Sequence, residues 1–124
     1  MIRGGVYQVN FGPIKTAEGE PGFRGHEQQG RRYGILISPS NSPLSVATFV
    51  PTSTSAGPGV NHPDVDFEAN GDARPSRALI EQTRAVDARF VGDMVGYLTR
   101  DQMGDVEAAL ANYLGFIPPG NRPH

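Results

Sequence analysis

The 124-residue chain has no cysteine, no tryptophan and no apolar run long enough to cross a bilayer. Without thiols there is neither a disulfide scaffold nor a thiolate metal site, which fits a reducing compartment. A strong charge of one sign is missing as well: 11 Lys and Arg against 13 Asp and Glu leave a formal −2. The chain as a whole therefore exerts no pull on nucleic acid, and any site for a polyanion has to be a local basic patch. No segment reads as a signal peptide or a membrane span, so a cytoplasmic protein with no membrane partner is expected. There is no internal repeat, and a chain of this length makes about one domain with a core of its own.

Glycine and proline are plentiful, 16 and 11 residues, which favours short strands and many turns over a helical bundle. Residues 6–11 alternate, with Tyr7, Val9 and Phe11 on one face and Gln8 and Asn10 on the other, as in a half-buried strand. Gly12 and Pro13 end it. Residues 32–37 read as a buried strand, and residues 46–50 as another after a Ser40-Asn41-Ser42-Pro43 turn cluster. Val65 and Phe67 suggest a short alternating strand before the Asn70-Gly71 turn. Residues 78–84 and 93–98 are the remaining strand candidates. Thr99-Arg100-Asp101-Gln102 is a capping box. Met103, Val106, Leu110, Tyr113 and Leu114 follow it at helical spacing as a core-facing stripe, and Gly115 closes the helix. The expected architecture is five or six short strands in a curved sheet or small barrel, finished by one amphipathic helix.

The long segment at residues 12–30 has no periodicity, and a loop of that length inside a compact domain usually serves as a lid or binding loop. Its end, Gly25-His26-Glu27-Gln28-Gln29-Gly30-Arg31-Arg32, gathers an imidazole, a carboxylate, two amides and two guanidiniums. Guanidiniums grip phosphate in a planar fork, amides read base edges, and imidazole moves protons near neutral pH. That set suits RNA. The plainer alternative is a solvated surface loop.

Three blocks in order resemble the MazF/PemK family of bacterial toxin endoribonucleases, the Kid and ChpB branch most closely. The first is Gly5-Val6-Tyr7-Gln8-Val9-Asn10-Phe11-Gly12-Pro13. The second is His26-Glu27-Gln28-Gln29-Gly30, followed by Arg32 and a buried strand. The third is Glu81-Gln82-Thr83-Arg84-Ala85-Val86-Asp87, trailed by Gly96-Tyr97-Leu98-Thr99 and a helix ending in Leu114-Gly115. The resemblance spans nearly the whole chain. It implies a mainly β protein with one helix: a small SH3-like β-barrel with a C-terminal amphipathic helix, a single toxin domain over residues 1–116 and a flexible tail over 117–124. It further implies a homodimer that cuts single-stranded RNA without a metal or other cofactor, leaving 2′,3′-cyclic phosphate and 5′-hydroxyl ends. The cognate antitoxin would bind through a disordered acidic C-terminal segment.

The same resemblance assigns candidate roles. Arg32 aligns with the family's catalytic arginine. Glu81 aligns with a carboxylate base, and reads equally as an anchor for Arg84 or Arg32. His26 is a candidate for proton transfer, and Ser53 falls on the family's active-site threonine, with Thr52 and Thr54 one residue to either side. Glu27 orients Arg32. Together with Gln28, Gln29, Arg31, Gln82 and Arg84 it makes the substrate-binding set. Leu79 stands where the Kid branch carries an arginine proposed as the acid, so that role is left to His26 or Arg32. Tyr33 replaces the family's proline and adds an aromatic face on which a base can stack. The alternative function is a catalytically degenerate or CcdB-like binding module on the same fold. The missing tryptophan counts against a gyrase poison of that kind. His26, His62 and His124 lack metal-ligand spacing, and His62, before Pro63, reads as a turn residue.

Overall fold

The computed structural model describes residues 1–12, 31–40 and 45–116. The expected long loop beyond Gly12, with His26, Glu27, Gln28 and Gln29, and the expected tail both lie outside the described residues. Within them, one antiparallel sheet is built from β1 (Gly5–Asn10), β2 (Arg31–Leu36), β3 (Val46–Ser53), β6 (Arg77–Ala78), β7 (Arg84–Asp87) and β8 (Val91–Tyr97). The order is β6-β3-β2-β1-β8, with β7 also on β3. A hairpin of β4 (Phe67–Ala69) and β5 (Asp72–Arg74) and one helix, α1 (Arg100–Leu114), complete the fold. The mainly β architecture with a single C-terminal helix is the one expected.

Both faces of the central strands are covered. One cluster joins Val6, Ile35, Val50, Val65, Phe67, Ile80 and Leu98 with Val106 of the helix. The other joins Tyr7, Val9, Leu36, Ala47, Phe49 and Val86. This explains the unbroken apolar run of β2: neighbouring side chains point to opposite faces, so Ile35 enters the first cluster and Leu36 the second. It also explains why Val6 is buried at the start of a strand read as half-buried.

Beyond the continuous ladders, short backbone bonds curl the sheet round on itself. The segment before β4 is tied to β6 by Ala78 N–H to the Pro63 carbonyl and Val65 N–H to the Ser76 carbonyl, both 3.0 Å. Just past β4, Asn70 N–H reaches the Val95 carbonyl of β8 at 3.3 Å. Gly96 permits that approach, since a Cβ there would run into the Glu68 carbonyl oxygen. The Asn70-Gly71 turn is as expected: both residues hold positive φ, 54° and 89°, joining Ala69 to Asp72 in register.

Residues 78–84 do not form one strand. β6 ends at Ala78, a 3-10 turn covers Ile80–Gln82, and β7 starts at Arg84. Ala78 and Ile80 both enter the first cluster, but the β6 ladder (Thr52 with Ala78) and the β7 ladder (Phe49 with Arg84) on β3 are out of register with one continuous strand. The turn takes up the extra residues, with Thr83 N–H and Thr83 Oγ1 both bonded to the Ile80 carbonyl. As a result β6 and β7 occupy successive stretches of the same edge of β3.

The helix begins as predicted. Thr99 Oγ1 accepts from Gln102 N–H at 3.1 Å, and Gln102 Oε1 accepts from Thr99 N–H at 2.9 Å. Gly115 closes it in the left-handed region at φ 80°. Val106 is fully buried, with Met103 and Leu110 packed against the core, but Tyr113 and Leu114 are about half exposed. The last turn of the predicted stripe has run past the first cluster.

Two glycine substitutions should move stability in opposite directions. Gly96→Ala is expected to destabilise by about 1–3 kcal/mol, because the clash is with backbone that has no rotamer to yield. Gly104→Ala, in α1 with open space around its Cβ, should stabilise by roughly 0.5–1 kcal/mol. Urea unfolding of both variants reads the two signs.

Candidate functional site

Arg32 stands beside Val9 in the β1–β2 register. On its other side the β2–β3 register pairs Gly34 with Pro51; carried two residues further, it sets Arg32 across from Ser53. Alternation puts both side chains on one face. From β7's approach, the 3-10 turn presents Gln82, whose Oε1 accepts from Arg32 Nη1 at 3.2 Å. Three predicted site residues, Arg32, Ser53 and Gln82, are thus brought together although they lie 50 residues apart at the extremes.

Of the three consecutive hydroxyls, that of Thr52 is spent inside the sheet: the residue is buried and its Oγ1 donates to the Tyr33 carbonyl at 3.2 Å. Ser53 Oγ stays at the surface, 3.2 Å from Ser55 Oγ, and accepts from Ser55 N–H at 3.1 Å. Both Arg32 and Ser53 line a groove of about 990 Å³ that also receives Tyr33, Arg74, Arg89 and Phe90. Among the described residues three guanidiniums line this groove and no carboxylate does. Arg74 lies over the Tyr33 ring, 5.9 Å from its centroid, and Arg89 over Phe90 at 5.5 Å. Arg89 also donates to Asp87 at 3.2 Å, through Nε, and its backbone N–H does so at 2.9 Å. Those bonds hold the Asp87 carboxyl below its usual range. A concave surface with cations, aromatic faces and hydroxyls accepts an anion that carries stacking groups.

Glu81 and Arg84 go elsewhere. Glu81 was read equally as a base and as an anchor for Arg84 or Arg32; for the anchor, its two carboxylate oxygens instead sit 2.7 and 3.0 Å from His62 Nε2. Glu81 and Gln82 are consecutive in a 3-10 turn, where neighbours diverge by about a third of a revolution, so only Gln82 faces Arg32. Arg84 places its guanidinium 5.8 Å from the Phe11 ring centroid. Arg31 pairs with Asn10 through β2.

His62 is the residue the sequence reading passed over. It does sit in a turn, with its N–H on the Gly59 carbonyl at 3.0 Å. Its ring, however, bridges Nδ1 to the Gly57 carbonyl at 2.8 Å and Nε2 to Glu81. A carbonyl and a carboxylate both only accept, so the geometry calls for a proton on each ring nitrogen. The imidazole is accordingly raised above its ordinary 6.5, first by the Gly57 carbonyl and then by the Glu81 hydrogen bond. Desolvation and the nearby Arg77 oppose that rise. Among the described residues no group of three or more His, Cys, Asp or Glu is disposed to hold a metal ion, and no helix is long and apolar enough to cross a membrane.

The fold is shared with solved toxin structures. An endoribonuclease in complex with its cognate antitoxin, from a mycobacterial species, superposes with a TM-score of 0.70, covering 96% of this chain and 99% of that one at 16% identity. The Mycobacterium tuberculosis toxin MazF-mt6 gives 0.68 over 92% and 99%, at 15% identity. MazF from Deinococcus radiodurans gives 0.70 over 93% and 96%, at 21% identity. At those identities the likeness is one of fold. In sequence, the chain is 48% identical over 116 residues to the M. tuberculosis toxin candidate Rv3098A, covering 93% of this chain and 98% of that protein. The profile of the PemK-like, MazF-like toxins of type II toxin-antitoxin systems matches residues 2–114. The chain belongs to that family.

The His62–Glu81 pair makes stability depend on pH with a definite sign. A group whose pKa rises on folding lends its full stabilisation below the unfolded value and loses it as pH climbs through the folded value. Glu81→Gln should therefore destabilise the protein more at about pH 6 than at about pH 9, towards which the folded imidazole gives up its proton. Thermal melts of the two proteins at both pH values check this; an equal difference at the two would contradict a charged pair.

Proposed function

We propose that this toxin is a metal-independent endoribonuclease that cuts single-stranded RNA, with Arg32 at the reacting phosphate. The reading is carried by one observation: Arg32 sits in a groove whose described lining holds guanidiniums, hydroxyls and aromatic rings without a carboxylate, in a chain of the MazF-like toxin family. The endoribonuclease among its structural neighbours supports it.

In this mechanism a base removes the proton of a ribose 2′-hydroxyl, the 2′-oxygen bonds to the adjacent phosphorus, and the bond from phosphorus to the 5′-oxygen breaks. The departing oxygen takes a proton from an acid, leaving a 2′,3′-cyclic phosphate and a 5′-hydroxyl. Arg32 gives its planar fork to the phosphorane oxygens, and the Gln82 bond presets its direction. Ser53 supplies a hydroxyl donor beside it. Glu81 is the base, and His26 or Arg32 the acid. Glu27, Gln28 and Gln29, with Arg31, Gln82 and Arg84, hold the neighbouring nucleotides, and the rings of Tyr33 and Phe90 give bases a surface to stack on. The protein works in the cytoplasm as a homodimer of one toxin domain each, residues 1–116. Its cognate antitoxin blocks the groove with an acidic disordered segment that competes for the same arginines.

Incubating the purified protein with a long single-stranded RNA in EDTA tests this. Discrete fragments with cyclic phosphate and 5′-hydroxyl ends are expected, with Arg32→Ala slowed by about 100-fold or more. Intact RNA from antitoxin-free protein would overturn the reading in favour of a binding module on the same fold.

A further inference from the structure

We infer that His62 is a positioning residue for this reaction, holding the Glu81 carboxylate in one orientation through a clamp from its imidazole ring. The inference rests on the ribonuclease reading above and adds to it a residue outside the groove.

The clamp is built from three separate parts of the chain. The turn ending in His62 supplies its own backstop, the Gly57 carbonyl, 2.8 Å from Nδ1. That bond fixes which way the ring faces. The opposite edge then meets both Glu81 oxygens, 2.7 and 3.0 Å from Nε2. The same turn is stitched to the Glu81 turn through backbone, since Ile80 N–H donates to the Asn61 carbonyl at 3.1 Å. Imidazole and carboxylate are therefore held by neighbouring main chain on both sides, with only a quarter to a third of either side chain exposed. Other charged groups near the ring are accounted for: Arg77 disfavours the imidazolium, but its Nε lies 3.2 Å from Asp64, which offsets it.

A carboxylate that is to take a proton must be ionised and must not rotate. The clamp stops that rotation while the imidazole is charged. Once the ring loses a proton, its charge attraction for the carboxylate is lost, and so is one of the hydrogen bonds that fix the ring between Gly57 and Glu81. Glu81 is then held less firmly. Activity should accordingly fall as pH rises through the His62 pKa, which lies above that of an unpartnered histidine.

The test is cleavage of a single-stranded RNA by the intact chain, His62→Ala, His62→Gln, Glu81→Gln and the His62→Ala/Glu81→Gln double variant, followed between about pH 6 and pH 9. His62→Ala is expected to lower kcat about tenfold or more at neutral pH with little change in KM. The double variant should be no slower than Glu81→Gln alone, because His62 acts through Glu81. His62→Gln retains an uncharged donor for the carboxylate; it should recover most of kcat and lose the fall at alkaline pH, which a variant that merely misfolds would not do. A His62→Ala protein with the kcat and pH profile of the intact chain would overturn the inference while leaving the ribonuclease reading standing. Losses that add in the double variant would do the same. Failure of the intact chain to cleave any RNA would overturn both.

Discussion

Burial on both faces of the β1–β2–β3 sheet is the constraint from which the rest of this molecule follows. A strand with one solvated face can slip by two residues at little cost, but here Ile35 and Leu36 enter separate clusters on opposite sides. Any slip would expose apolar side chains on both. Each fully buried one is worth about 1.5–3 kcal/mol, so the register is held firmly. The position of Arg32 between Val9 and Ser53 is a by-product of that register. The guanidinium is placed by the packing of its neighbours, not by bonds of its own, and Gln82 then only has to select its direction.

The second organising feature is how β3 shares its free edge. Its first half pairs with β7 and its last two residues with β6, and the 3-10 turn between those strands stands out from the edge. Such a turn splays consecutive side chains, which sends Gln82 to Arg32 and Glu81 to His62. One short irregularity thus serves two electrostatic environments, a groove lined by cations and an ion pair beside it.

Much of the fold was legible from local pattern. Alternation marked β1, the apolar run marked β2, Asn70-Gly71 marked the β4–β5 hairpin, and the Thr99 and Gln102 pair marked the start of α1 to the residue. Each of these signals depends on side chains within a few positions of one another. The 78–84 segment was misread as one strand because the choice between a strand and a turn was made by β3, 30 residues earlier, which pairs on both sides of the break. Tyr113 and Leu114 fit the helical stripe by spacing yet remain half exposed, since spacing says which side of a helix is apolar but not how far the opposing surface extends.

The site divides along the same line. From the sequence alone came the residue types that suit a phosphate, the family resemblance that singled out Arg32, Ser53, Glu81 and Gln82, and the mainly β architecture with its closing helix, all encoded in short motifs read in order. Tertiary structure alone decided which of those residues meet. It joined Arg32 to Gln82, set Ser53 in the same groove, placed Glu81 on His62, and buried the Thr52 hydroxyl against the Tyr33 carbonyl while leaving that of Ser53 at the surface. The reason is that hydrogen bonds between side chains depend on distances of a few tenths of an ångström between segments far apart in the chain. Those distances are set by the closing of the sheet and the packing of two hydrophobic clusters, neither of which any single stretch of sequence contains.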